Sequence, residues 1–191
     1  MIWFTSDLHL GHENILKLNH RPFATIDEMD ETLIRNWNGK VHRDDTVYIV
    51  GDILWGKRRV ASYLSRLNGK KHLIFGNHDE QMVKDPTFCA WFEEVVPMSF
   101  LSLNGHPITL CHYPMLEWKE SRADGKKKPG ILIFGHIHNR IDPAYRFLFE
   151  SENALNAGTD INGFCPVSFE ELVENNRAFK AQALRLLPKK G

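Results

Sequence analysis

Cysteine is scarce: the 191 residues hold three, at 89, 111 and 165. They are too few and too irregularly spaced for a disulfide framework or a cysteine-based zinc site, and an odd count fits a reducing compartment. No apolar run approaches the roughly 20 residues that span a bilayer. The opening Met-Ile-Trp-Phe-Thr-Ser-Asp lacks the basic stretch and apolar core of a secretory signal. Net charge is missing too, since 24 basic residues balance 24 acidic ones with histidine neutral. A general pull on nucleic acid or anionic lipid is therefore not expected, and the chain reads as soluble and cytoplasmic. Repeats and low-complexity tracts are absent, and Lys126-Lys127-Lys128 in its Asp-Gly loop reads as a solvated turn.

In bulk the chain is ordinary, with 42% hydrophobic and 25% charged residues, close to the averages for soluble domains. Its length suits one domain, residues 1–191, able to bury a sizeable core. Histidine is the exception, with ten copies.

Five short apolar runs, Ile2 to Phe4, Thr46 to Val50, His72 to Phe75, Ile108 to Leu110 and Ile131 to Phe134, are bounded by turn residues and read as buried strands. Helical patterns lie between the first three. Asp27 to Asn38 places Met29, Leu33, Ile34 and Trp37 on one face with Gly39 as a stop, and Lys57 to Leu67 ends at Asn68-Gly69. This alternation predicts a layered α/β fold. Asn104-Gly105 between Ser99–Leu103 and Pro107–Cys111 signals a hairpin. Ser168 to Leu187 reads as a helix capped by Ser168 and Glu171.

Each of the five strands ends in metal-ligand residue types: Asp7-Leu8-His9, Asp52, Asn77-His78-Asp79, His112 and His136-Ile137-His138. In open α/β sheets, sites form at the carboxyl ends of strands. Alternate residues of an extended segment point the same way, so Asp7 and His9 are expected to address one ion, and His136 and His138 one ion each. A carboxylate such as Asp52 can bridge two. The expected sets are Asp7, His9, Asp52 and His138 on one ion, and Asp52, Asn77, His112 and His136 on the other. Nitrogen and oxygen donors without thiolate suit manganese, iron or zinc. Two ions about 3.5–4 Å apart can activate a bridging water and clamp an in-line displacement at phosphorus.

The ordered series Asp-x-His, Gly-Asp, Gly-Asn-His-Asp, His and Gly-His-x-His, from Asp7 to His138, resembles the calcineurin-like metallophosphoesterase family. The resemblance implies a four-layer αββα sandwich with two mixed β-sheets flanked by helices. It also implies two divalent ions per chain, Mn2+ first among candidates that include Fe, Zn and Ni, and a small phosphate-ester substrate, nucleotides among them. His78 is then expected beside the substrate phosphate as the leaving-group acid, with Asp79 orienting it. Gly51-Asp52-Ile53-Leu54-Trp55 lacks the Asp-Arg-Gly of the serine/threonine phosphatases and the tyrosine ligand of purple acid phosphatases. What remains resembles small bacterial and phage members, many of them phosphodiesterases. A phosphomonoesterase of the same family and a catalytically silent binding scaffold are the alternatives. His12 is a candidate for the substrate cleft or for the cap of the following helix, and Arg21 for a bidentate hold on phosphate or for a surface ion pair. Asp160, in Asn156-Ala157-Gly158-Thr159-Asp160, is a candidate hydrogen-bond partner for a ligating histidine or part of an ordinary turn.

Overall fold

The computed structural model describes residues 1–57, 59–122 and 128–188; Lys126 and Lys127 of the expected lysine turn lie outside them. Strands β1 (Ile2–Thr5), β2 (Thr46–Ile49), β3 (Lys70–Ile74) and β4 (Glu94–Val96) form one sheet in chain order, every neighbouring pair parallel. Parallel neighbours need crossovers. These carry α1 (Ile15–Leu18) and α2 (Ile26–Lys40), then α3 (Val60–Leu64), then α4 (Pro86–Cys89). The second sheet orders β5 (Met98–Leu103), β6 (His106–Cys111), β7 (Ile131–Phe134) and β8 (Ala154–Asn156). Here β5 and β6 run antiparallel and the other pairs parallel. Mixed pairing is thus confined to the second sheet, where the hairpin imposes it: Asn104 and Gly105 take φ of 51° and 77°, as a type I′ turn requires. Helices α5 (Arg146–Glu150) and α6 (Phe169–Leu186) complete the chain.

Strand alternation sorts side chains into layers. Trp3, Ile49 and Leu73 pack with Met29, Leu33, Trp37 and Leu64 of α2 and α3. Their neighbours Phe4, Val50 and Ile74 point the other way, into the gap between sheets, against Ile108, Leu110, Ile133 and Leu155. Leu132 and Phe134 emerge on the far face of the second sheet, against Leu148, Phe149 and Ala183 of α5 and α6. Helix, sheet, sheet and helix follow in order. Each such buried side chain contributes about 1.5–3 kcal/mol, so both sheets are held rigidly behind the loops at their strand ends.

Two helix ends differ from expectation. Gly39 does not stop α2, which continues to Lys40 and closes with the Val41 N–H on the Trp37 carbonyl. Helix α3 is shorter than 57–67 because Arg59, its N-cap, sits in the left-handed region and Arg66 and Leu67 close three-residue turns. The cap of α6 is as read, Ser168 and Glu171 forming a reciprocal capping box. Among the described residues no helix is long and apolar enough to cross a membrane.

Candidate metal centre

Five of the seven ligand-type residues adopt a conformation that L-residues rarely take. Asp7, His9, Asp52, His136 and His138 have φ between 53° and 70°. Asp and His tolerate this region better than most residues, and strain of this kind clusters at functional sites, at a cost of order 1–3 kcal/mol each. It also corrects the reason given for their spacing. Strand β1 stops at Thr5 and β7 at Phe134, so Asp-x-His and His-x-His are not extended. Left-handed turns, rather than pleat, bring Asp7 and His9, and His136 and His138, to one place.

The glycines before these residues make room. A Cβ on Gly51, whose φ is +92°, would lie 2.3 Å from His112 Nδ1. One on Gly135 would lie 2.5 Å from Asp7 Oδ2. No side chain fits at either position.

Asp52 Oδ2 is central, 3.4 Å from His112 Nε2 and 3.8 Å from His9 Nε2. Asn77 Oδ1 lies 3.1 Å from both His112 Nε2 and His136 Nδ1. His138 Nε2 is 3.7 Å from Asp7 Oδ1. Donors bonded at about 2.1 Å to one ion at right angles sit about 3 Å apart, so these separations suit shared ions. The ring orientations agree. His112 Nδ1 faces the Val50 carbonyl at 2.9 Å and His138 Nδ1 faces Asp160 Oδ2 at 2.8 Å, which leaves each Nε2 lone pair for the centre. His9 is fully buried, yet neither ring nitrogen has a hydrogen-bond partner among the described residues. An orphaned imidazole in a dry site is costly unless a cation takes its lone pair. The residues fit a metal centre.

Electrostatics point the same way. Burial holds His9 well below the usual histidine range and so keeps it neutral. Burial also opposes a charge on His112, but its hydrogen bond to Asp52 and the charges of Asp7 and Asp52 outweigh this and raise it to about 9. Burial would raise Asp52, yet His112 brings it down to about 2. Two buried carboxylates thus draw positive charge, which a proton on His112 supplies here and which a metal ion would supply in its place.

Residues expected to act on substrate fall in different places. The His78 imidazole is one-third exposed at the mouth, its Nε2 3.9 Å from Asp52 Oδ2. His9, Asp52 and His78 could themselves hold an ion, as could Asp7, His9 and His138, or Asp7, Asp52 and His112. Asp79 does not meet the His78 ring among the described contacts. Its buried carboxylate accepts the backbone N–H groups of Asp52 at 2.7 Å, Gly76 at 2.9 Å and Ile53 at 3.3 Å. Asp79 therefore clasps two ligand loops together, although burial pushes its carboxyl up to about 7. His12 lies between His9 and the Trp55 indole, on which it stacks at 3.7 Å with the rings nearly parallel. Burial lowers it to about 4. Its loop is pinned by Asp30, which accepts from the Gly11 N–H and the Tyr63 hydroxyl.

Arg21 has another place than either expected. Its side chain is fully buried, the guanidinium gripping Asp160 through Nε at 2.9 Å and Nη2 at 3.0 Å. It also donates to the carbonyls of Asp7 and Leu8. No face remains for a substrate phosphate; Arg21 instead braces the Asp7–His9 loop. Asp160 joins this brace to His138, and Asn156 holds the same loop by donating to the His138 carbonyl. Asp160→Ala should therefore act twice. It leaves a buried arginine unpaired, which costs about 3–5 kcal/mol, and weakens metal affinity about 10–100-fold. Urea unfolding of Asp160→Ala, Arg21→Ala and the double variant checks the first effect. The double variant should lose clearly less than the sum of the singles, and additivity would mean that the pair is not coupled.

Comparison with known proteins agrees with this geometry. Residues 1–158 match the model of the calcineurin-like phosphoesterase superfamily domain. An uncharacterized protein of Methanocaldococcus jannaschii is 31% identical over 177 residues, covering 91% of this chain and 89% of its own length. The Gene 66 protein of Mycobacterium phage L5 is 34% identical over 166 residues, covering 72% of this chain and 77% of its own. A crystal structure of a protein of unknown function from Aquifex aeolicus superposes with a TM-score of 0.68 at 27% identity, over 91% of this chain and 98% of that one. The chain belongs to the calcineurin-like phosphoesterase superfamily, whose members hydrolyse phosphate esters with divalent metals.

Proposed function

We propose that the chain is a two-metal phosphodiesterase. In this reading Asp7, His9, Asp52 and His138 hold one ion and Asp52, Asn77, His112 and His136 the other, manganese being the first candidate. The observation that carries it is the convergence of seven donor side chains from five strand ends, with the His9 ring nitrogens left without a hydrogen-bond partner among the described residues. When bound, the two ions supply Lewis acidity and an activated water. The chain supplies the rest. His78, at the open mouth, holds a proton for the departing oxygen; Asp79 keeps the His78 and Asp52 loops in register. Arg21 and Asp160 fix Asp7 and His138.

Exposed aromatics favour a diester. Trp55 packs against His12 and His78, while Tyr113 packs against His112 and His136. Both are large side chains left nearly half exposed. Two walls serve two organic groups, and a monoester has one. With Mn2+ present, kcat/KM on bis(4-nitrophenyl) phosphate should exceed that on 4-nitrophenyl phosphate by at least about tenfold, or 1.4 kcal/mol in barrier. A tenfold preference for the monoester would reverse the assignment. Hydrolysis of neither, with both ions bound, would favour a silent scaffold.

A further inference from the structure

We infer that Trp55 is a platform for the base of a departing nucleoside, so that the diesters taken are nucleotide esters. The inference rests on the phosphodiesterase reading and narrows its substrate class. Trp55 is 45% exposed, unusual for the largest apolar side chain. One indole face is covered by the coplanar His12 ring, 3.7 Å away between centroids. The indole also borders a cleft of about 520 Å³ to which His12 does not contribute, so another part of its surface is open to a ligand. That volume lies within the roughly 300–1,000 Å³ of small-ligand sites. An aromatic ring with much of its surface exposed beside a cleft offers contact area to a second ring.

Its position selects the departing side. The Trp55 ring centroid is 4.9 Å from that of His78, the residue placed at the departing oxygen. Trp55 thus borders the acid. Beside the apolar lining of Ile26 and the Tyr63 ring, the cleft carries charged groups. Lys57 and Arg59 bring positive charge and Asp27 a hydrogen-bond acceptor. A base amine or ribose hydroxyl can donate to the acceptor, and a further phosphate suits the cations. A purely apolar alcohol would use neither.

The test compares a dinucleoside monophosphate with its two analogues that are abasic at one sugar or the other, which keep the same departing oxygen. Wild type should prefer the intact substrate over the analogue abasic on the departing side by about 5- to 150-fold, the range carried by base–aromatic stacking. Trp55→Ala should bring that ratio close to one, mainly through KM, and Trp55→Phe should restore most of it. Adenosine added to the metal-loaded protein should show upfield-shifted base protons with wild type and Trp55→Phe but not with Trp55→Ala. An equal loss on intact and abasic substrates, with no adenosine shift in wild type, would mean that Trp55 only covers His12 and would overturn the inference. If wild type cleaves no diester, the phosphodiesterase reading falls, and the adenosine spectra alone then decide for or against the platform.

Discussion

Replacing Asp52 with alanine is expected to strip both ions and abolish hydrolysis. Asp52 Oδ2 lies 3.8 Å from His9 Nε2 and 3.4 Å from His112 Nε2, and in the proposed two-ion reading it is the carboxylate that would serve both. His9 without it keeps Asp7 and His138 as partners in one cluster, and His112 keeps Asn77 in the other. Each remnant is short of the donors and negative charge a divalent ion needs. On that reading, losing the ions would remove both the water activation and the charge neutralisation they supply. The fall should therefore exceed the roughly 10²–10⁴-fold that a lone acid–base group contributes. Metal analysis of the purified variant is the check, and two retained ions per chain would sink the bridging role. His9→Ala and His112→Ala should instead weaken one ion each, and not the same one.

The site was legible in the sequence where chemistry sits directly at a strand end. Asp7, Asp52, Asn77, His112 and His136 each follow a short apolar run within a few residues, and a buried strand ending in a ligand type needs no knowledge of distant partners. Strand β7 has the same bounds as the run Ile131 to Phe134, because an uninterrupted apolar stretch bounded by glycines leaves little choice. What was not legible depends on contacts between residues far apart. Arg21 and Asp160 are 139 positions apart, and a loop arginine looks the same whether it faces phosphate or a buried aspartate. Asp79 follows His78 directly, yet its carboxylate turns to the Asp52 and Ile53 N–H groups, a backbone demand that residue types do not display. Trp55 drew notice in the sequence only for being no tyrosine, since exposure beside a centre is a property of the folded surface. The three-residue strands β4 and β8 carry too few residues for any periodicity. Gly39 is the converse case: its low propensity argued for a stop, and tertiary packing of Trp37 overrode a cost of about 1 kcal/mol.

His78→Ala is expected to separate substrates by their leaving groups. If the imidazole gives its proton to the departing oxygen, its value depends on how strongly that oxygen is a base. An alkoxide from a sugar or alkyl group needs the proton, whereas nitrophenolate is stable alone. General-acid assistance contributes about 10²–10⁴-fold, so the variant should lose most of that factor on alkyl and sugar esters and visibly less on nitrophenyl esters. The scaffold should survive the change. The His78 N–H that donates to Asp52 Oδ1 at 2.9 Å is backbone and persists in alanine, and the ring is one-third exposed. The measurement is the ratio of variant to wild-type kcat/KM across leaving groups of graded pKa, with metal content determined on the same samples. An equal loss on every ester, both ions present, would make His78 a phosphate-positioning or electrostatic group. Loss of an ion would assign it to the cluster with His9 and Asp52, whose donor atoms lie within 4.8 Å of one another, and would move the acid's role elsewhere. A loss that grows with leaving-group pKa at constant metal content is the result that a proton donor alone gives.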